Sequence, residues 1–235
     1  MLGISDLILG IKITHNDNAI TLSQNHYIYS LLELYGMSNC KLVSTPLVPN
    51  LHLEAPTTEK EEFLALKFNY RSAIGSLSYL SSATRPDLLY SVSVLSHFLQ
   101  NPGIHHWKAF FHVLQYLEGT NNIELNYQRN LEEPPVSYSD ANWGNCPITR
   151  QSVTGYLVTL NGNLVIWKTR RQPTVSLSSA EAEYRSLTDL FSEPLWFKQL
   201  CKEVDVMKLQ KPITIHEDNQ GCIDTANSNC NTNTR

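Results

Sequence analysis

The sequence lacks the features of secreted, membrane-spanning and zinc-binding proteins. Its cysteines number five, an odd count, and no C-x-x-C pair occurs, which argues against a disulfide framework or a zinc site and for a reducing compartment. No apolar run reaches the roughly 18 residues that a membrane span needs. Residues 1–10 lack the basic start of a signal peptide and contain Asp6. We therefore expect an intracellular protein, in the cytoplasm or nucleus and not secreted, with no membrane partner.

An excess of basic charge is also missing, since the formal net charge is −4. Any binding to nucleic acid phosphates must then depend on a local patch rather than on the overall field. The clearest patch is Lys168, Arg170 and Arg171, and a solvated strand end explains these residues equally well. The hydrophobic content of 42% and the length of 235 residues are typical of globular protein with one large or two small domains.

The first part of the chain is predicted to be mostly helical, with a short hairpin in front. Its apolar residues recur at helical spacing, and Gly36 is a predicted helix end. His105, His106 and Trp107 indicate either a metal or stacking cluster or a helix start with a packed tryptophan, and we favour the helix start. The predicted elements are strands 7–14 and 19–23, a helix Tyr27–Tyr35, an extended linker 44–60 with three prolines, and helices from about Phe63 to Ser82, from Pro86 to before Pro102, and from about His105 to Glu118.

The second part is predicted to alternate strands and helices, after a boundary at Pro134-Pro135. Asn161-Gly162 indicates a tight hairpin turn. The predicted elements are strands at about 136–140, 153–160, 163–168 and 212–217, a helix 179–204 kinked near Pro194, and a short helix from Asn219. This order is typical of a mixed α/β fold.

Three carboxylates occupy positions that suit a shared metal site. Asp140 and Asp218 end apolar, strand-like runs, and Glu183 lies at the start of a predicted helix. Divalent ions prefer oxygen ligands, and paired ions activate water and stabilise the leaving oxygen in phosphodiester cleavage. Other roles stay open, because aspartates in turns and caps are common and Asp218 can cap the helix that follows it.

Two glutamates of the helix 179–204 are separated by their local partners. Ser178 is a good N-cap, and Glu181 completes a capping box and can pair with Arg185 one turn later. Glu183 has no such partner, and it shares a helix face with Leu187 and Leu190. Burying it alone is costly, so a counter-charge such as a metal ion is expected there. By strand alternation, Glu217 is predicted to point away from Asp218, to the opposite face.

Long stretches of the chain resemble the Pol polyproteins of copia-type LTR retrotransposons. The segments similar to the ribonuclease H domain are SYSDANWGN, SVTGYLVTLNGNLVIWKTRRQPTVSLSSAEAEYRSL and ITIHEDNQGCI. Those similar to the end of the reverse transcriptase are LGISDLILGIKI, ITLSQNHYIYSLLELYGMSNCKLVSTPL and YRSAIGSLSYLSSATRPDLLYSVSVLSHFLQNPGIHHWKAFFHVLQYLEGT. The motifs cover nearly the whole chain in the order of the family.

This resemblance implies two domains. Residues 1–128 correspond to the C-terminal part of the reverse transcriptase, with a primer-grip-like hairpin, a linker, and thumb and connection helices. Residues 135–235 correspond to a ribonuclease H-like domain, a mixed sheet with helices. The expected fold class is therefore α/β, in the broad sense that includes α+β.

The resemblance also assigns the chemistry. It places Asp140, Glu183 and Asp218 as catalytic residues and as ligands of Mg²⁺ or Mn²⁺. The implied reaction is two-metal hydrolysis of RNA in RNA–DNA hybrids, which are read by shape and by 2′-hydroxyls. The implied partners are such a hybrid, or another nucleic acid, and the rest of the Pol polyprotein.

The chain departs from the family pattern at two places. The Tyr-x-Asp-Asp motif of the polymerase is not in the sequence, so no polymerase activity is expected. Active ribonuclease H domains generally use four carboxylates, and the sequence ends at Arg235, before the fourth. We therefore expect a domain that lacks its last strand and cleaves weakly or not at all. The alternative is an inactive retrotransposon remnant that at most binds nucleic acid or protein.

Overall fold

The computed structural model describes residues 6–49, 51, 53–54, 68–129, 133–146, 149–203 and 213–231. The chain divides into two compact units, Met1–Arg129 and Asn130–Arg235. Each unit combines helices with a four-stranded sheet, so the expected α/β class is confirmed.

The sheet of the first unit has the order β1-β2-β3-β4 and is antiparallel throughout. Its strands are β1 (Leu7–Ile8), β2 (Ile11–His15), β3 (Ala19–Ser23) and β4 (Leu125–Gln128). The predicted single strand 7–14 is wrong, because Leu9 and Gly10 adopt φ angles of 51° and 76° and fold β1 back onto β2. Strand β4 was not predicted. Its partner β3 is about a hundred residues away in sequence, and local patterns do not report such pairing.

The described residues of the first unit form four α-helices between β3 and β4: α1 (Asn25–Leu34), α2 (Tyr70–Ala83), α3 (Leu89–Ser96) and α4 (Ile104–Gly119). After α1, Gly36 adopts a φ of 64° and ends the helix as expected. The Asn69 side chain caps α2 by accepting from the Ser72 N–H at 3.1 Å. The predicted helix 86–101 is shorter than expected, because Pro86–Leu88 forms a 3-10 turn and turns follow Ser96. Phe63 and part of the linker 44–60 lie outside the described residues, and the described linker residues form neither helix nor strand.

The core of the first unit is aromatic and centres on Trp107. Its ring meets Tyr70 and Phe110 edge-to-face, at centroid distances of 5.3 and 5.5 Å, a geometry that adds to the stabilisation from area burial. His106 is also buried, packs on Phe98, and accepts the Gly103 N–H at 2.8 Å through Nδ1. The His–Trp segment is therefore a packed helix start, and the metal or stacking alternative is excluded for His106 and Trp107.

The second unit is built around the strand β5 (Val136–Asn142). The sheet order is β7-β6-β5-β8, with β6 (Val153–Leu160) and β7 (Asn163–Arg171) antiparallel and β8 (Thr214–His216) parallel to β5. Asn161 and Gly162, at φ angles of 50° and 71°, form the predicted hairpin turn between β6 and β7.

Two helices complete this unit, α5 (Ser179–Glu203) and α6 (Gln220–Asn231). Helix α5 packs on the sheet, with Leu190 against Tyr156 and Val158. It continues through Pro194 to Glu203. No helix among the residues that the structure describes is long and apolar enough to cross a membrane.

Candidate metal centre

The parallel pairing of β5 with β8 brings the two aspartates together. The register joins Val136 to Thr214 and Tyr138 to His216. Asp140 and Asp218 each lie two residues beyond the last of these pairs, and both side chains are exposed. Partners in a parallel register project to the same face of a sheet, so both carboxylates reach one place at the end of the strands.

Helix α5 supplies the third carboxylate, because its first turns are fastened to β5. The Ser186 hydroxyl donates to the Asp140 carbonyl oxygen at 2.8 Å and accepts from the Ser139 hydroxyl at 2.9 Å. Glu183 lies three residues before Ser186, on the same face of the helix. One carboxylate oxygen each from Asp140, Glu183 and Asp218 lie within 4.8 Å of one another. The structure thus brings together all three residues singled out in the sequence.

Glu181 lies at the helix start, as its position in the sequence indicated. Its backbone N–H donates to the Ser178 hydroxyl at 3.1 Å, and its carboxylate accepts from the Leu177 N–H at 2.8 Å. The box therefore closes on Leu177 rather than on Ser178. The Leu177 N–H, followed by Arg185, lowers the pKa of Glu181. Glu181 is thus occupied by local contacts and is not free for the centre.

Glu183 is a buried carboxylate without a cationic side-chain partner in the part of the chain described. The residue is 7% exposed, and its Oε2 atom has no hydrogen-bond partner. Burial, followed by the charges of Glu217, Asp140 and Asp218, raises the pKa of Glu183 to about 8. An unpaired buried charge is costly, and such a group either holds a proton or meets a cation.

Glu217 lies close enough to the centre for its charge to act on Glu183, although alternation predicts that it points away from Asp218. Alternation does separate it from Asp218, but the face it reaches is the one that α5 covers with Glu183. Among the neighbouring charges, Glu217 acts most strongly on Glu183. Its own pKa is raised by burial, and its Oε2 atom is buried without a partner. Local alternation does not report which helix covers a strand end, so the contact of Glu217 with the surroundings of Glu183 could not be predicted.

Asn219, rather than Asp218, caps helix α6. The Asn219 side-chain oxygen accepts the Cys222 N–H at 3.0 Å. The proposed capping role of Asp218 is therefore wrong, and its carboxylate stays at the centre. Strand β8 ends at His216 and α6 begins at Gln220, so the residue directly before the helix is Asn219 and not Asp218.

The loops beside the centre are held by a buried polar network that the sequence analysis did not identify. Gln172 donates to the Ala182 carbonyl at 2.8 Å and to the Thr154 hydroxyl at 3.1 Å, and it accepts from Ser176 at 2.9 Å. The Trp143 indole donates to the Ser176 carbonyl at 3.0 Å. These contacts tie the end of β7 to the start of α5 and so fix the position of Glu183.

The basic patch of β7 is largely neutralised within the unit. Arg170 pairs with Asp189, its Nε donating at 3.0 Å, and Lys168 lies 3.5 Å from Glu193. Both partners belong to α5. The interpretation as a solvated strand end is therefore favoured over a phosphate-binding patch for these two residues, and the role of Arg171 stays a prediction.

The donor set suits a hard divalent cation. It contains three carboxylates on three separate elements, and oxygen is the ligand that Mg²⁺ and Mn²⁺ prefer. The partnerless, buried Oε2 of Glu183 marks the inner side of the set as deficient in positive charge. The residues present therefore fit such an ion.

The chain is similar to polyproteins of plant transposons over most of its length. The retrovirus-related Pol polyprotein from transposon TNT 1-94 of Nicotiana tabacum is 39% identical over 229 residues, which is 95% of this chain and 17% of that polyprotein. The retrovirus-related Pol polyprotein from transposon RE1 of Arabidopsis thaliana is 36% identical over 213 residues, 91% of this chain and 14% of the polyprotein. The chain thus spans less than a fifth of the polyproteins it matches.

A shorter relative is matched over most of its own length as well. The uncharacterized mitochondrial protein AtMg00810 of Arabidopsis thaliana is 34% identical over 195 residues, which is 83% of this chain and 79% of that protein. No protein-family model and no solved structure matches the chain.

Proposed function

We propose that this chain, which belongs to the Pol polyproteins of copia-type retrotransposons, carries a centre for metal-dependent hydrolysis of RNA in RNA–DNA hybrids. The reaction is the ribonuclease H step of reverse transcription. The polyprotein relatives supply the context, and the residues of the second unit supply the chemistry. The remainder of the polyprotein is the partner that this assignment implies.

The convergence of Asp140, Glu183 and Asp218 is the observation that carries the proposal. The three oxygens lie within 4.8 Å of one another, although their residues are separated by more than thirty positions in sequence. Carboxylates that serve only to keep a surface soluble are exposed to water, whereas Glu183 is buried. Here Glu183 is withdrawn from water and lacks a counter-charge among the described side chains, which an oxygen-seeking cation would provide.

Each side chain then has a defined part. Asp140 and Asp218 are exposed and face the side from which a hybrid can approach, and Glu183 anchors the site from the helix. Mg²⁺ or Mn²⁺ bound there would activate water and stabilise the departing 3′ oxygen. Ser186 and Gln172 hold α5 and its flanking loop, so the spacing of the carboxylates is set before substrate binds.

The test is cleavage of a labelled RNA–DNA hybrid by the purified chain, with Mg²⁺ and with Mn²⁺. We expect weak cleavage, confined to the RNA strand, and a further loss of at least about 100-fold in Asp140→Asn and Asp218→Asn. Losing a residue that only supports a metal ligand already costs about 10- to 100-fold. Asp224→Asn is the matched control, because Asp224 is exposed on α6 and contacts Gln220. It should leave the rate unchanged.

Cleavage that survives Asp140→Asn would place the reaction elsewhere and end the proposal. A chain that binds Mn²⁺ at these carboxylates but cleaves no hybrid would support the alternative, an inactive remnant that retains the ligands. Single-stranded RNA and DNA–DNA duplexes serve as substrate controls, since 2′-hydroxyl recognition requires the hybrid geometry.

A further inference from the structure

Glu217 is a further carboxylate near the centre, and it directly precedes Asp218 in the chain. The register of β5 with β8 ends at Tyr138 and His216, so Glu217, the next residue, continues toward the level of Ser139, whose hydroxyl contacts Ser186 of α5. Glu183 lies one turn before Ser186. Glu217 and Glu183 therefore approach each other in the layer between sheet and helix, and the charge of Glu217 is the strongest that Glu183 meets.

Two oxygen atoms in this layer have no partner. The Oε2 atoms of Glu183 and Glu217 are both buried and accept no hydrogen bond. The other oxygen of Glu217, Oε1, accepts the Asn219 N–H at 3.1 Å, which fixes the direction of the carboxylate. The loop that caps α6 thus holds Glu217 in place while its second oxygen faces inward.

The described part of the unit offers no protein cation for these oxygens. The basic side chains of β7 and α5 with described ion pairs use other carboxylates: Lys168 with Glu193, Arg170 with Asp189, and Arg185 with Glu181. Cys222 is also buried, and a thiol supplies no positive charge. No side chain with a described ion pair in this unit therefore neutralises the two glutamates.

We infer that Glu217 is a cation-binding residue of this centre, which contributes its Oε2 atom to a divalent ion also held by Glu183. This inference rests on the proposed function, because it adds a ligand to the same metal centre. It gives the chain four carboxylates within the residues described, with the fourth supplied by the residue next to Asp218.

The test is Mn²⁺ binding by the whole 235-residue chain, measured from the free-ion signal in electron paramagnetic resonance and, separately, from the rise in melting temperature that Mn²⁺ produces. We expect Glu217→Gln to weaken Mn²⁺ binding by about 10-fold or more. Gln keeps the acceptor for the Asn219 N–H, and it removes a buried like charge. The metal-free melting temperature should therefore stay equal or rise, whereas loss of a purely structural residue would lower it.

Glu217→Asp separates coordination from the general field of the charge. The variant keeps the carboxylate but shortens its reach by one methylene, so we expect weaker Mn²⁺ binding here too, and unchanged binding would overturn the inference. If Glu217→Gln fails to fold, Glu217→Asp still tests the inference. Glu181→Gln is the matched control, since Glu181 is occupied at the helix start.

The failures of the two proposals differ. Weak Mn²⁺ binding in Asp218→Asn together with wild-type binding in Glu217→Gln would overturn the role of Glu217 and leave the three-carboxylate centre intact. Wild-type binding in both variants would remove the metal centre itself, and with it the proposed function.

Discussion

Arg85 in the first unit and Glu183 in the second are both charged groups withdrawn from water, and they are treated in opposite ways. The Arg85 guanidinium, fully buried, donates to Asp87 at 2.7 Å and to the Thr120 hydroxyl at 2.7 Å and carbonyl at 3.1 Å. Glu183 has three carboxylate neighbours and a partnerless oxygen. A charge buried for stability is satisfied by the protein, and a charge buried for a ligand is left incomplete.

The largest expected effect comes from removing the counter-charge of Arg85. Asp87→Ala leaves the buried Arg85 guanidinium without its counter-charge, and we expect a loss of about 3 kcal/mol, the lower end for breaking a buried pair, because Asp87 is itself partly exposed. Chemical denaturation gives the free energy of unfolding, and hydrogen exchange by peptide locates the loss in α2 to α4. Asp224→Ala, an exposed substitution in the second unit, is the control. Unchanged exchange in α2 to α4 would show that the pair does not hold this unit together.

The unpaired carboxylate of Glu183 should make the stability of the second unit depend on pH. The pKa of Glu183 is raised from 4.5 to about 8 in the folded protein, so between these values the folded state binds a proton that the unfolded state has released. The metal-free second unit should therefore lose stability as pH rises through this window, by up to about 1.4 kcal/mol per pH unit. Melting in a chelator from pH 5 to pH 8 measures the slope.

Glu183→Gln should flatten that slope, because the neutral amide does not titrate. Glu217, whose pKa is also raised by burial, remains in the variant and keeps its own part of the slope. A slope that is equal in wild type and variant would assign the pH dependence to other groups. A cation must displace the proton of Glu183, so Mn²⁺ should bind more tightly at pH 8 than at pH 6.

An intermediate effect is expected at the network beside the centre. Gln172→Leu removes the donor to the Ala182 carbonyl and the acceptor of Ser176, and buried polar groups left unpaired cost about 1–3 kcal/mol. The loss should appear as faster hydrogen exchange in β7 and at the start of α5. Gln151→Leu is a suitable control, since its contact with the Pro173 carbonyl is exposed. Equal losses of stability in both variants would show that burial of the hydrogen bonds does not explain the loss.

The smallest effect should come from the glutamate two residues before Glu183. Glu181→Gln keeps an acceptor for the Leu177 N–H and weakens only the exposed pair with Arg185, so the melting temperature should fall slightly. Hybrid cleavage and Mn²⁺ binding should be unaffected, in contrast to Glu183→Gln. If the two variants lose Mn²⁺ binding equally, local partners do not distinguish the two glutamates.

Several features of the chain were determined by local sequence. Ser178, Glu181 and Arg185 have the spacing of a capped helix start, and Asn161-Gly162 fits a turn that needs positive φ angles, so both were predictable. The same holds for Trp107 as a packed residue of a helix start. The three carboxylates could be singled out because each lay at the end of a strand or the start of a helix. Local partners separated Glu183 from Glu181, and the family resemblance selected Asp218 over Glu217.

The pairing of strands distant in sequence, and the choice of helix that packs on a given face, were decided only by the tertiary structure. Strand β4 joins β3 across about a hundred residues, and the turn at Leu9-Gly10 splits a strand that alternation predicts as continuous. Alternation placed Glu217 on the face opposite to Asp218, but only the packing of α5 shows that this face carries Glu183. Local spacing determines which side of its own helix or strand a residue occupies. It does not determine what that side contacts, because the contacting element is distant in sequence.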